Sequence, residues 1–246
     1  MLEPLQFISV SALNASIVVA PALLYAAVKR SRAIAVASLL TFVIFVVQGA
    51  VLSMPSFGPL ASLKYNWLQK LTVVVLTILA ARFLQYKNED WGFKRANSPI
   101  AYAVAIVVGI ATSVITYIEI FSKHEPGKFN PEYFFFEMTM PGLHEELLYR
   151  GVLLCLWDRA AGTPFRLFDV KFGVGTIISA ALFTMGHTVL FDHDFKLMVA
   201  PIETWLDMAS FALAVTWLRY KFASVWPPLI AHNFGNVSAH LVHVAL

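Results

Sequence analysis

Three small polar clusters stand inside otherwise apolar stretches of the chain. They are Glu145, Glu146 and Arg150 in HEELLYRG, Phe183 and His187 in FTMGH, and His232 with Asn236 in HNFGN. On insertion scales a mid-helix Arg, Lys or Asp costs roughly 2.5–3.5 kcal/mol in such a setting. Carboxylates and imidazoles can take a proton from water, and imidazoles and carboxamides can hold a developing oxyanion. A chain that bears the cost three times is expected to use these groups together, in a cavity shielded from lipid. The chemistry expected there is hydrolysis, most plausibly of a peptide bond.

Residues four apart share a helix face, so Glu146 lies under Arg150 in the favourable order for an ion pair. Glu145, about 100° round the helix, has no intrahelical cation. It is therefore the expected general base, with Glu146 and Arg150 as its supporting pair. On a solvated helix the same pattern means little. Inside a stretch flanked by FFFEMTMPGL and LLYRGVLLCLW that bland alternative weakens. Glu137, the third carboxylate of the stretch, is expected near its outer end, at the interface.

His187 shares a face with Phe183, and Gly186 would let a neighbouring helix come close. His232 and Asn236 also share a face and could orient a water or donate to an oxyanion. Lone polar residues of this kind also serve as hydrogen-bonded glue between membrane helices, the role expected of Asn233. His144-Glu145 does not open an HExxH zinc motif, because Leu148 stands where the second His is required. Glu145, His187 and His232 would suit Zn²⁺ in ligand type. Their spacing gives no evidence for it, and no cofactor or metal is expected.

The elements that must position these groups are membrane helices. Of 246 residues 59% are hydrophobic and 13% charged, about half the charge share of a soluble protein. The single cysteine, Cys155, precludes an intramolecular disulfide. Eight spans can be drawn, near 5–28, 33–53, 67–84, 99–121, 133–157, 174–191, 198–218 and 225–245, each close to the roughly 20 residues needed to cross a bilayer. The first follows Glu3 and lacks a cleavage site, so it is expected to persist as a helix rather than to be a signal peptide. With the N-terminus outside, twelve Lys and Arg fall on the inner side and five on the outer. That bias places both termini outside.

Ser98-Pro99 reads as an N-cap and first helical residue, His124–Lys128 as a polar loop, and Trp226-Pro227-Pro228 as the start of the last span. Trp67, Trp91, Trp157 and Trp226 near span ends suggest an interfacial belt. Glu203 and Asp207 share a face near Asp192-His193-Asp194 and could line an outer mouth. Glu119 is expected at the outer end of its span, and His240 and His243 at the interface. The expected fold is all-α, one membrane domain over 1–246, with the chemistry within 135–240.

In order, EExxxR (Glu145, Glu146, Arg150), FxxxH (Phe183, His187) and HxxxN (His232, Asn236) resemble the signature of the CPBP (Abi) family, which includes the type II CAAX prenyl endopeptidases. The resemblance covers roughly 135–240 and departs only in Tyr149, where Phe is frequent. It implies an eight-helix membrane bundle of a bacterial or archaeal cell membrane. It also implies that Glu145 activates water, that His187 and Asn236 hold the oxyanion, and that His232 assists. The implied substrate is a membrane-associated protein or peptide that reaches the site through the bilayer or from its surface. No nucleic-acid partner is expected. Two other classes stay open: a non-catalytic bacteriocin-immunity or partner-binding protein, and a proton-relaying transporter. The latter is disfavoured by the absence of repeat halves.

Overall fold

The computed structural model describes residues 4–123, 127–192 and 194–245. Glu3, residues 124–126 of the polar loop, His193 and the Glu119 side chain lie outside the described residues. Helices α1 (Pro4–Lys29) and α2 (Arg32–Leu52) form a hairpin, followed by α3 (Trp67–Phe83) and the short α4 (Asn88–Trp91). Next come α5 (Ile100–Thr112), α6 (Val114–Lys123) and α7 (Pro131–Glu146), which continues through a π-helical segment, Leu147–Leu153, into α8 (Leu154–Ala161). The chain ends with α9 (Val174–Thr188), α10 (Ile202–Phe222) and α11 (Trp226–Ala245).

Helical rods thus occupy all eight expected ranges, α5–α6 and α7–α8 each filling one. By length and apolarity two of them, Leu5–Lys29 and Arg32–Leu52, are fit to cross a membrane. The all-α expectation holds for the body of the fold. It is corrected at two antiparallel hairpins, β1 (Phe165–Leu167) with β2 (Val170–Phe172) and β3 (Val189–Phe191) with β4 (Leu197–Val199). The second hairpin explains two shifted boundaries. The β-forming run Val189-Leu-Phe ends α9 at Thr188, and Pro201, in the N-cap place, delays α10 to Ile202.

Two further boundaries moved. The fourth rod breaks at Ser113, whose Oγ donates back to the Gly109 carbonyl at 2.9 Å, as the neighbouring Thr112 Oγ1 does to Val108 at 2.8 Å. Such back-bonding competes with the helical ladder. At the start of the same rod α5 begins at Ile100 with Pro99 in the N-cap place, one residue later than Ser98-Pro99 suggested.

The tryptophan belt is corrected in part. Trp91 and Trp157 are core residues, 1% and 0% exposed, and Trp157 Nε1 donates to Thr41 Oγ1 at 3.0 Å. Outward faces carry other apolar side chains: Leu24, Val28, Phe83 and Val107 are all more than three-fifths exposed.

The rod that carries EExxxR sits at the centre. Leu148, Tyr149, Leu153 and Trp157 pack with Phe45 of α2, Leu182 and Phe183 of α9, and Ala212 of α10 in one buried cluster. Two carbonyls of the π turn accept hydrogen bonds from side chains of other helices. Ser179 Oγ donates to Tyr149 O at 3.2 Å, and Arg219 Nε donates to Arg150 O at 3.1 Å.

Helix α11 lies tightly against α7 because Gly142 has no side chain. A Cβ there would stand 2.5 Å from Asn233 Oδ1. Asn233 is indeed glue: its Oδ1 accepts from Gly142 N at 2.7 Å, and its Nδ2 donates to Thr139 O at 3.3 Å. The contact bridges the helix across Pro141, which has no N–H of its own. Gly186 does not play such a part, since a Cβ there would meet only Tyr149 Oη, at an ordinary 3.6 Å.

Candidate active site

The three motifs converge. Glu145, His187, His232 and Asn236 all line one cavity of about 470 Å³, together with Lys70, Glu137, Asp207 and the rings of Phe136, Phe183 and Phe211. Glu146 and Arg150 lie behind that wall, each 0% exposed.

Glu146 ties two motifs together. Its Oε1 accepts from Arg150 Nη1 at 3.2 Å and from His232 Nδ1 at 2.8 Å. Arg150 is further held by Thr216 Oγ1 at 3.4 Å and by Ala212 O at 3.1 Å, with its guanidinium carbon 4.6 Å from the Phe183 ring centroid. The supporting pair read from the sequence is therefore present, and it does more than expected. Because the carboxylate accepts from His232 Nδ1, that ring nitrogen carries the proton, and Nε2 is the ring atom left for chemistry.

His187 is oriented in the same way. Its Nδ1 donates to the Phe183 carbonyl at 2.8 Å, and its ring stacks on Phe183 with centroids 4.4 Å apart. Nε2 lies 3.6 Å from Glu145 Oε2. Both facing atoms are acceptors in that tautomer, so a water placed between them could donate one hydrogen to each.

Three expectations about the site are corrected. First, Glu145 is not without a cation, as Lys70 of α3 places Nζ 2.9 Å from its Oε1. The choice of Glu145 as base for want of a cation on its own helix therefore loses its premise. What the pair does instead is fix geometry, engaging one oxygen and leaving Oε2 on the His187 side.

Second, Asn236 has one of its donors already engaged. Its Nδ2 is 2.6 Å from Glu137 Oε2, so Glu137 is a wall of the cavity and not an interfacial residue. His232, for its part, is fixed by Glu146. Third, His240 is 9% exposed, packs edge-on to Tyr133 with centroids 4.8 Å apart, and lines the cavity with His243.

Behind Glu145 lies His144, 2% exposed. Its Nδ1 is 3.7 Å from Glu145 Oε1 and 3.5 Å from Lys70 Nζ, and its Nε2 is 3.3 Å from Gln48 Nε2 of α2.

Lys70, Gln48, His144 and Glu137 are the site residues the sequence analysis did not assign. Gln48 stood as a lone polar residue in FVVQGAVL and Lys70 as the one charge in WLQKLTVVVL, each inside a predicted span. By the same cost argument as for the motifs, each pointed to a partner inside the bundle. Among the described residues no three His, Cys, Asp or Glu side chains are grouped to hold a metal ion. The set Glu145, His187 and His232 is thus not gathered at one point.

Lys70 gives a direct test of this geometry. Lys70→Met should lower kcat of any reaction in which Glu145 takes part about ten- to a hundredfold with KM little changed, while Lys70→Arg recovers part of it. Equal kcat in the Met variant would show that the ion pair does not position the carboxylate.

No curated protein and no solved structure matches the chain. One family model does, and the matched stretch holds every residue of the three motifs. Residues 129–238 match the family described as Rce1-like, type II CAAX prenyl endopeptidase, consistent with a CPBP-family intramembrane protease, as the motif resemblance implied.

Proposed function

We propose that the protein is an intramembrane endopeptidase that hydrolyses a peptide bond of a membrane-associated protein, with Glu145 as general base. One observation carries this above the others: Glu145 Oε2 and His187 Nε2, from two different motifs, face each other across 3.6 Å in the wall of a shared cavity.

In the proposed reaction a water bound between Glu145 and His187 attacks the carbonyl carbon of the scissile bond. Glu145 takes one of its protons, and the carbonyl oxygen becomes the oxyanion of a tetrahedral intermediate. Asn236 donates to that oxygen, and His187 and His232 join it when their Nε2 also carries a proton. Asn236 Nδ2 keeps its second hydrogen for this purpose while Glu137 holds the first. The C–N bond then breaks, and the proton on Glu145 passes to the leaving amine, so that one water is consumed and two peptide termini result.

Membrane embedding rests on two features. Helices α1 and α2 are fit to span, and the outward faces of the other rods carry many apolar side chains. The proposed arrangement is eight spans with both termini outside. The family description points to peptides next to a prenylated C-terminal cysteine as the substrate class. The apolar rings beside the carboxylates are compatible with a lipid-bearing peptide.

The test is cleavage by the purified protein in lipid nanodiscs. A C-terminal peptide bearing a prenylated cysteine is compared with the same peptide unmodified. Cleavage of the prenylated form supports both the protease reading and the substrate class. Cleavage of the unmodified peptide alone would overturn the substrate class, and cleavage of neither would count against the whole. We infer a metal-independent mechanism. Activity lost to a chelator and restored by Zn²⁺ would overturn that choice.

A further inference from the structure

A second, smaller cavity shares its wall with the first. It measures about 170 Å³ and is bounded by Lys70, Glu145 and His187, the three residues it has in common with the large cavity. Its other walls come from α1 (Ser11, Asn14), from α2 (Gln48) and from Tyr149 and Gly186. Phe7 near the start of α1, Leu52 at the end of α2, Asn66 ahead of α3 and Leu190 of β3 also line it.

The chemistry of this lining is specific. Asn14 and Gln48 are 4% and 9% exposed, and Asn14 Oδ1, Gln48 Oε1 and Glu145 Oε2 each have no hydrogen-bond partner among the protein atoms. Three buried acceptors without donors call for a ligand that brings hydrogens. The adjacent Lys70 ammonium, 2.9 Å from Glu145, disfavours a cation there. The space suits about five water molecules at roughly 30 Å³ each.

We propose that this small cavity is the water compartment from which Glu145 draws its nucleophile, separate from the large cavity that takes the peptide. The inference rests on the hydrolase reading above, with Glu145 as the base. Its physical sense is plain. A peptide chain filling the large cavity displaces water from that side of Glu145. A reserve on the opposite side keeps the base supplied at the moment the carbonyl is in place. Glu145 Oε2 and His187 stand where the two compartments meet.

Gly186 offers the means of testing it, because it lines the small cavity, is absent from the walls of the large one, and has room for a side chain. Gly186→Cys is prepared in a Cys155→Ala background, purified folded, and treated with 2-sulfonatoethyl methanethiosulfonate, a charged reagent that reacts from water. Each preparation is compared with itself before treatment. The expected result is a single adduct by intact mass, a fall of about tenfold or more in kcat with KM little changed, and recovery on reduction. A complete adduct with kcat unaltered would overturn the water compartment. Failure of the reagent to react would do so as well, since the cavity would then be closed to water. Glu145→Gln in the same background separates this from the underlying reading. Cleavage by that variant would remove Glu145 as the base on which the compartment rests, whereas its silence alongside an unaffected adduct would sink only the compartment.

Discussion

Glu145→Gln is expected to lose cleavage activity by about a hundred- to ten-thousandfold, the share a positioned general base contributes, while the protein inserts and purifies as before. The choice of Gln matters. The amide oxygen left by the substitution can still accept from Lys70, so the 2.9 Å contact has a neutral replacement and the helix is not left with a stranded ammonium. An alanine at that position would leave Lys70, 12% exposed, without its counter-ion and would mix a folding defect with a catalytic one. Loss of kcat at an unchanged unfolding midpoint is thus the signature of the base. Full activity in the Gln variant would remove Glu145 from the mechanism.

Glu146→Ala should act through stability. Both Glu146 and Arg150 are 0% exposed, and the carboxylate also anchors His232. Removing it leaves a guanidinium buried in the centre of the bundle with only neutral acceptors, Thr216 and Ala212, at hand. Breaking a buried pair from one side costs about 3–5 kcal/mol. The purified variant should therefore unfold at a markedly lower temperature, with Glu146→Gln falling between it and the parent because an amide still accepts from both partners. A midpoint within a degree or so of the parent would contradict the picture of a fully buried anchor.

Much of this site was legible in the sequence, because its logic is electrostatic. A carboxylate pair, two imidazoles and a carboxamide in apolar helices had to find one another, and the four expected to act line one cavity. Phe183 beside His187, Glu146 under Arg150, and Asn233 as interhelical glue follow from helical spacing alone. What spacing cannot give is the partner on another helix. Lys70 lies 75 residues before Glu145, and Asn236 lies 99 after Glu137, so no local pattern announces either contact.

The errors share that cause. Glu145 looked unpaired because only its own helix was counted. Glu137, His240 and His243 looked interfacial because they fall toward rod ends, whereas the cavity reaches out to them. The two hairpins were missed for another reason: Phe165–Phe172 and Val189–Val199 are strands of three residues each, too short for their alternation to stand out beside long apolar runs. The π turn under the motif has no sequence mark at all. Ser179 and Arg219 from other helices donate to its carbonyls.

The most direct measurement of the central claim follows peptide termini in membranes. Membranes containing the wild-type protein, and others containing Glu145→Gln, are incubated in H₂¹⁸O, and newly formed C-termini are read by mass spectrometry. The account predicts a set of termini in the wild-type sample whose carboxylates carry ¹⁸O, and their absence with the variant. Identical, unlabelled termini in both would show that this cavity does not hydrolyse peptide bonds.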